Sequence, residues 1–234
     1  MGVAVALDGV TVSYREWNRR IDALSEVDLS LNAGAFCGLV GSNASGKSTV
    51  LRLLAGLCRP ESGSVRVHGA DPCKAETRQD IFWMGEKPVF PSQARVKELF
   101  AWTAKLRGRL GALSFADGPF GLTDLWERRV HRLSQGSLQK VALGLADVFR
   151  PSLLLLDEPY TGLDYWTARA LTGQLRAWRE SGMTIILSTH DWKLAEELAE
   201  VFWVLDRGKL LHAGPLDSDK GIASLFDHEM GVKK

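Results

Sequence analysis

Apolar and polar side chains alternate along residues 3–14 (VAVALDGVTVSY), with β-branched residues among them, which predicts a strand or hairpin. Val27 to Leu31 repeats that style, and Asn32-Ala33-Gly34 gives a turn signal. The run Phe36-Cys37-Gly38-Leu39-Val40 is apolar without alternation, as a strand covered on both faces requires. After a Gly/Ser-rich loop, Val50 to Leu57 carries apolar residues at helical spacing, and Cys58-Arg59-Pro60-Glu61-Ser62-Gly63 ends it. Val65 to Gly69 predicts another strand. Lys97 to Leu110 and Leu122 to Arg132 predict two helices, joined by a linker that holds Gly111, Gly118, Pro119 and Gly121. Leu138 to Phe149 predicts a helix that Pro151 breaks, and Leu153 to Leu156 a buried strand. A helix over 165–180, a strand from Thr184 to Ser188, a helix from Trp192 to Leu198 and a strand from Val201 to Leu205 follow. The polar tail beyond Asp217 predicts a short terminal helix. Such alternation predicts an α/β fold with a largely parallel sheet, interrupted by a helical insertion between Val96 and about Arg132.

Composition narrows the class. The 234 residues are 45% hydrophobic and 24% charged, values that fit one large globular domain and exclude a disordered or fibrous chain. Twenty-nine basic residues against 28 acidic ones leave a net charge of +1, without a block of like charges. That balance offers no electrostatic footprint for nucleic acid. Cys37, Cys58 and Cys73 form no CxxC pair, so reduced, structural thiols in a cytoplasmic setting are expected. The opening MGVAVALDGV lacks a basic start and carries an early aspartate, unlike a signal peptide. Apolar runs such as Leu153–Leu156 fall far short of the ~20 residues of a membrane span, so the chain is expected to be soluble by itself.

The candidate chemistry begins at Gly41-Ser42-Asn43-Ala44-Ser45-Gly46-Lys47-Ser48-Thr49, which satisfies G-x-x-x-x-G-K-[ST] between a predicted buried strand and a helix. Backbone N–H groups of such a loop converge on phosphate at a helix N-terminus, and glycines let the backbone come close. Lys47 is placed to reach the β- and γ-phosphates, and the Ser48 hydroxyl to ligate Mg²⁺. Leu153 to Leu156 ends in Asp157-Glu158, two carboxylates at the end of a buried strand, where parallel sheets place their ligands. Asp157 is expected to hold the metal through water, and Glu158 to polarise the attacking water. A small-molecule kinase could own both features.

A third set separates these readings. Leu133-Ser134-Gln135-Gly136-Ser137 resembles the signature motif of ATP-binding cassette (ABC) ATPases, usually LSGGQ. Thr161-Gly162-Leu163-Asp164 is similar to the D-loop, and Ser188-Thr189-His190-Asp191 to the switch histidine segment. Order and spacing resemble the family from about Val3 to Gly214, and a kinase gives no account of Leu133–Ser137 or His190. The resemblance implies a P-loop NTPase core with an N-terminal antiparallel β-subdomain and an inserted helical subdomain. Residues 1–234 would form one such domain, with about 1–90 and 138–234 the nucleotide-binding core and about 91–137 the helical signature subdomain. It implies ATP and Mg²⁺ as cofactors, and a second cassette that completes the site. Tyr14 would stack on adenine, Ser134 and the Gly136 amide would touch the γ-phosphate in trans, Asp164 would cross the interface, and His190 would hold Glu158 and the water in place. It further implies a separate membrane permease, and hence a peripheral position on the cytoplasmic membrane face.

Departures from the pattern carry information. Ala44 replaces a usual glycine, which is tolerated if that position keeps negative φ. Gln135 and Ser137 replace the first glycine and final glutamine of the signature. Glu86, in Trp83-Met84-Gly85-Glu86-Lys87-Pro88, stands where the family places a glutamine that reaches the metal or water. Glutamate there, together with Leu-Ser-x-Gly, resembles the ATPase subunits of ABC-2-type exporters; weakened turnover is the competing reading. The rival class is a soluble ABC ATPase acting on nucleic acid or a protein assembly, which typically carries two cassettes or coiled-coil inserts. His68, His131 and the cluster Glu127-Arg128-Arg129 are expected to be surface residues, the last on a solvated helix face, and Trp102 and Trp126 to pack the subdomain.

Overall fold

The computed structural model describes residues 2–16, 19–108, 118–216 and 221–229. Its elements are β1 (Val3–Glu16), β2 (Arg19–Asn32), β3 (Phe36–Gly41), α1 (Lys47–Leu54), β4 (Ser62–Val67), α2 (Ala75–Arg78), β5 (Ile81–Met84), α3 (Val96–Leu106), α4 (Gln135–Phe149), β6 (Leu153–Asp157), α5 (Tyr165–Glu180), β7 (Thr184–Thr189), α6 (Trp192–Leu198), β8 (Val201–Asp206), β9 (Lys209–Gly214) and α7 (Ile222–Glu229). Two sheets organise them. An antiparallel sheet runs β2-β1-β4, and a six-stranded sheet runs β5-β6-β7-β3-β8-β9, parallel except for β9.

The apolar runs without alternation are those the fold covers on both sides. In β6, Leu153 and Leu155 face a core shared with α1 and the antiparallel sheet, while Leu154 and Leu156 face the core beneath α4. In β7, Ile186 points the first way and Ile185 and Leu187 the second. The helix α1 thus lies between the two sheets, with Val50, Leu51, Leu53 and Leu54 buried. At roughly 1.5–3 kcal/mol for each large aliphatic side chain buried, this layer fixes where the loop before α1 must sit. A smaller core joins α7 to Ala195, Phe202 and Val204. No helix among the described residues is long and apolar enough to cross a membrane.

Several boundaries differ from the sequence reading. The helix expected over Val50–Leu57 spans Lys47–Leu54. Gly56 takes φ +67°, its amide bonds to Leu53 O and that of Leu57 to Arg52 O, which is a Schellman stop one turn early. The helix expected from Leu138 begins at Gln135, because the Ser134 side chain accepts the Ser137 N–H as an N-cap. Leu122–Arg132 is not a helix. It holds two single turns of 3₁₀ helix, Thr123–Leu125 and Val130–Arg132, because its backbone bonds sideways to the segment before α3. Val96 N donates to Arg128 O, Lys97 N to Trp126 O and Val130 N to Ala94 O. Glu127 accordingly leaves the expected helix face and pairs with Arg95 and Lys97. Trp126 packs on Phe100 with ring centroids 5.0 Å apart, as subdomain packing requires, whereas Trp102 is half exposed. Leu110 and Gly111 lie outside the described residues.

Candidate active site

The site is built where β3, β6 and β7 end and α1 begins. The loop after β3 curls back over its own strand, and two glycines permit it. A side chain at Gly41 would collide with Leu205 O and the Ser45 side chain, and one at Gly46, with φ +110°, would meet Ala23 O at 2.6 Å. Ala44 has φ +61°, so the condition under which an alanine would be tolerated without strain there is not met. An alanine in this left-handed conformation costs roughly 1–2 kcal/mol, because Cβ crowds the following carbonyl. The loop is held there by its flanks: Ser45 N donates to Ser42 O, and Gly208 N to Ser45 O at 3.0 Å.

Lys47 opens α1 with its side chain buried. Its ammonium donates to Gly41 O at 2.8 Å and Ser42 O at 3.1 Å, and lies 3.6 Å from Glu158 Oε1. The tip of β6 supplies Asp157 and Glu158, and the register that pairs Asp157 with Ser188 of β7 decides their orientation. The Ser188 hydroxyl donates to Asp157 Oδ1 at 2.6 Å and accepts the Glu158 N–H at 3.0 Å. Glu158 itself has φ +47°, a strained conformation that these bonds over-determine, as residues at functional sites often require. Its Oε2 accepts from His190 Nδ1 at 3.0 Å. A carboxylate can only accept, so the imidazole proton sits on Nδ1 in this pair. Lys47, Glu158 and His190 therefore form one connected chain of charge and hydrogen bonds.

Around that chain lies a cleft of about 570 Å³, lined by Tyr14, Lys47, Glu86, Glu158, Thr161 and His190, and by the whole of Asn43–Thr49. The Tyr14 hydroxyl is 3.3 Å from Thr49 Oγ1, which places the ring at the mouth of the cleft beside α1. Not every expected site residue is in it. Gly41 and Ser42 line a neighbouring cavity, and Asp157 is buried beneath the floor. Ser134 and Gly136 lie elsewhere: Ser134 Oγ caps α4, and Gly136 packs against Gly162 O. Asp164 caps α5 through Thr167 N, and the Lys140 ammonium at 2.8 Å, with the Thr167 N–H and hydroxyl, holds its carboxyl well below the usual range.

The sequence reading missed Ile21, Asp22 and Ala23, which line the cleft beside the P-loop. Ile21 is the cross-strand partner of Tyr14, but seeing this needs the hairpin register, and only Val27–Leu31 of β2 carries a clear strand signal. Thr161 and Ser188 stood inside quoted motifs without a role of their own. Ser48, Asp157 and Glu86 offer oxygen donors alone, and among the described residues no three His, Cys, Asp or Glu side chains group closely enough to hold an ion by themselves. Such a sparse, hard donor set suits Mg²⁺, which keeps water and phosphate ligands.

The arrangement matches known proteins over its length. The profile of the ABC transporter family matches residues 24–161, more than half of the chain. The energy-coupling factor transporter ATP-binding protein EcfA2 of Streptococcus pneumoniae is 30% identical over 99% of this chain and 89% of its own. A solved ATP-binding subunit of an ABC transporter superposes with a TM-score of 0.85 at 23% identity, covering 97% of this chain and 99% of that one. A dimeric post-hydrolysis state of the ATP-binding cassette MJ0796, bound to ADP and Pi, gives 0.79 at 24% identity, covering 92% and 99%. The chain belongs to the ABC transporter family, as an ATP-binding and ATP-hydrolysing cassette.

Proposed function

We propose that this chain powers an ABC-2-type exporter from the cytoplasmic face of the membrane, by closing with a second cassette around ATP and moving a separate permease. The observation that carries the two-cassette reading is the split of the site. Lys47, Glu158 and His190 converge in one cleft, while Ser134 and Gly136, the phosphate contacts expected of the signature, do not line it in the same chain. A head-to-tail pair would reunite them, and the dimeric state of a cassette of the same fold supports a two-cassette assembly. Export rests on Glu86 together with Leu133-Ser134-x-Gly136, and Glu86 lines the cleft as that role needs.

The chemistry is positioning and electrostatics. Loop amides and Lys47 hold the phosphates that leave as ADP, and Tyr14 covers the base. Glu158, pulled between Lys47 and His190, orients and polarises the water, and His190 keeps that carboxylate on the side where the γ-phosphate enters. Ser48, Asp157 and Glu86 are the residues that would hold a magnesium ion accompanying ATP, which would supply neutralisation of phosphate charge. In a Glu158→Gln variant, ATP is expected to convert monomer to dimer in light scattering. A persistent monomer at saturating ATP overturns the two-cassette reading. Copurification of a polytopic membrane protein with the tagged wild-type chain tests the permease, and its absence from solubilised membranes favours the soluble class.

A further inference from the structure

Two separate features of the chain's surface fit each other. Tyr165 and Trp166 open α5 and are 70% and 73% exposed, the rings edge to face with centroids 5.3 Å apart. An aromatic side chain buries roughly 150–250 Å² in an interface, so two adjacent ones held in water on a rigid helical turn form an anchor without a socket. Their position is tied to the signature. Gly162 O lies 3.1 Å from where a side chain on Gly136 would begin, and Asp164, just before the pair, is fixed by Thr167 N and by Lys140 of α4. Whatever surface Ser134 meets, the aromatic pair meets beside it.

The socket is beside the ATP cleft. A cavity of about 750 Å³ shares Gly41, Ser42 and His190 with the P-loop side, and its apolar walls are Trp192, Leu211 and Phe226. Trp192 and Phe226 lean on each other at 5.8 Å, and the exposed Arg207 stands at the rim, a cation available to an indole face. His190 lines both this cavity and the ATP cleft, so the two lie side by side.

We propose that Tyr165 and Trp166 of one cassette dock into the Trp192–Leu211–Phe226 cavity of a second copy when the pair closes on ATP. The proposal rests on the head-to-tail reading above. The occupant is a second copy because the anchor adjoins the signature and the socket adjoins the P-loop, the two parts that head-to-tail pairing brings together. Two-fold symmetry then makes the contact twice, so loss of one ring is felt at both ends.

The test uses the full-length Glu158→Gln chain. Adding Trp166→Ala is expected to weaken ATP-driven dimerisation at least tenfold, and Tyr165→Ala severalfold, with ATP affinity of the monomer unchanged within twofold because neither ring lines the cleft. In the same chain with Cys58→Ser and Cys73→Ser, joint W166C and L211C substitutions are expected to give an ATP-dependent intermolecular disulfide under a mild disulfide-forming oxidant, at chain concentrations where the Trp166→Ala chain is still dimeric. Failure of the Glu158→Gln chain to dimerise removes the head-to-tail reading and the docking with it. A dimer indifferent to Trp166→Ala, with no crosslink, overturns the docking and leaves that reading standing. A weakened dimer without the crosslink overturns the assigned cavity.

Discussion

The P-loop face and the signature face of this cassette are organised in opposite ways. On the first, the polar groups point into one cleft: Lys47 faces Glu158 at 3.6 Å, and Glu158 faces His190 at 3.0 Å. On the second, they are turned back on the chain. Ser134 caps the Ser137 N–H at 3.2 Å, and Asp164 caps Thr167 and pairs with Lys140. The first face is a site with its own electrostatics, and the second is a helix terminus presented to something else. Such a terminus is attractive to an anion only when one is brought to it. Under the proposed two-cassette closure, nucleotide binding belongs to one chain and turnover to two, so substitutions on the two faces should separate the two quantities.

The largest effects lie on the P-loop face. Lys47→Ala removes the one side-chain cation buried at the loop, and ATP binding or turnover is expected to be abolished in a filter or fluorescence assay. Retained binding and turnover would remove the P-loop from its assigned task. Glu158→Gln should keep ATP affinity and lose roughly 10²–10⁴ in steady-state hydrolysis, the range for a positioned general base. Near-normal turnover would mean that another group handles the water.

The signature face gives the sharper contrast. Ser134→Ala should leave ATP affinity of the isolated chain unchanged within twofold and cut turnover roughly 10²–10³-fold, as loss of one preorganised donor does. It also removes an N-cap, at about 1 kcal/mol, or roughly 2–4 °C in the melting temperature of a chain this long. Ser134→Asp separates these effects: the carboxylate still caps the Ser137 N–H, so stability returns, but its charge opposes phosphate and turnover stays low. Recovery of turnover with stability would reduce Ser134 to a capping residue.

Much of this division was legible in the sequence, for particular reasons. The strands buried on both faces announce themselves as unbroken apolar runs, as at Leu153–Leu156, and motifs on consecutive residues, such as Asn43–Thr49, move into the cleft together. Features set by pairing between distant segments were hidden. The 3₁₀ turns at Thr123 and Val130 replace a helix only because the 92–97 segment takes their backbone bonds, and no local propensity encodes that partner. Ile21 faces the cleft only through its register with Tyr14. Glu86 is the intermediate case: its place in the cleft was implied by the family resemblance, but replacing it tests its effect. Glu86→Gln is expected to change turnover by severalfold with ATP affinity retained, and no change would leave glutamate there as mere tolerance.

The smallest expected effect concerns Ala44, where a local expectation failed. The sequence alone permits an alanine with negative φ, yet the loop must rise from Gly41 and re-enter α1 at Gly46 within four intervening residues, and φ at Ala44 is +61°. Its side chain is exposed, so no packing compensates for the crowded Cβ. Ala44→Gly relieves roughly 1–2 kcal/mol of left-handed strain and returns about 0.4–1 kcal/mol to the unfolded chain as entropy. The net gain is roughly 0.5–1 kcal/mol, about 1–4 °C in the melting temperature. A calorimetric melt of the nucleotide-free variant checks it. A lower melting temperature would mean that the loop relaxes to negative φ in solution and that the cradle forms only on phosphate, which would make the P-loop face as dependent on its partner as the signature face.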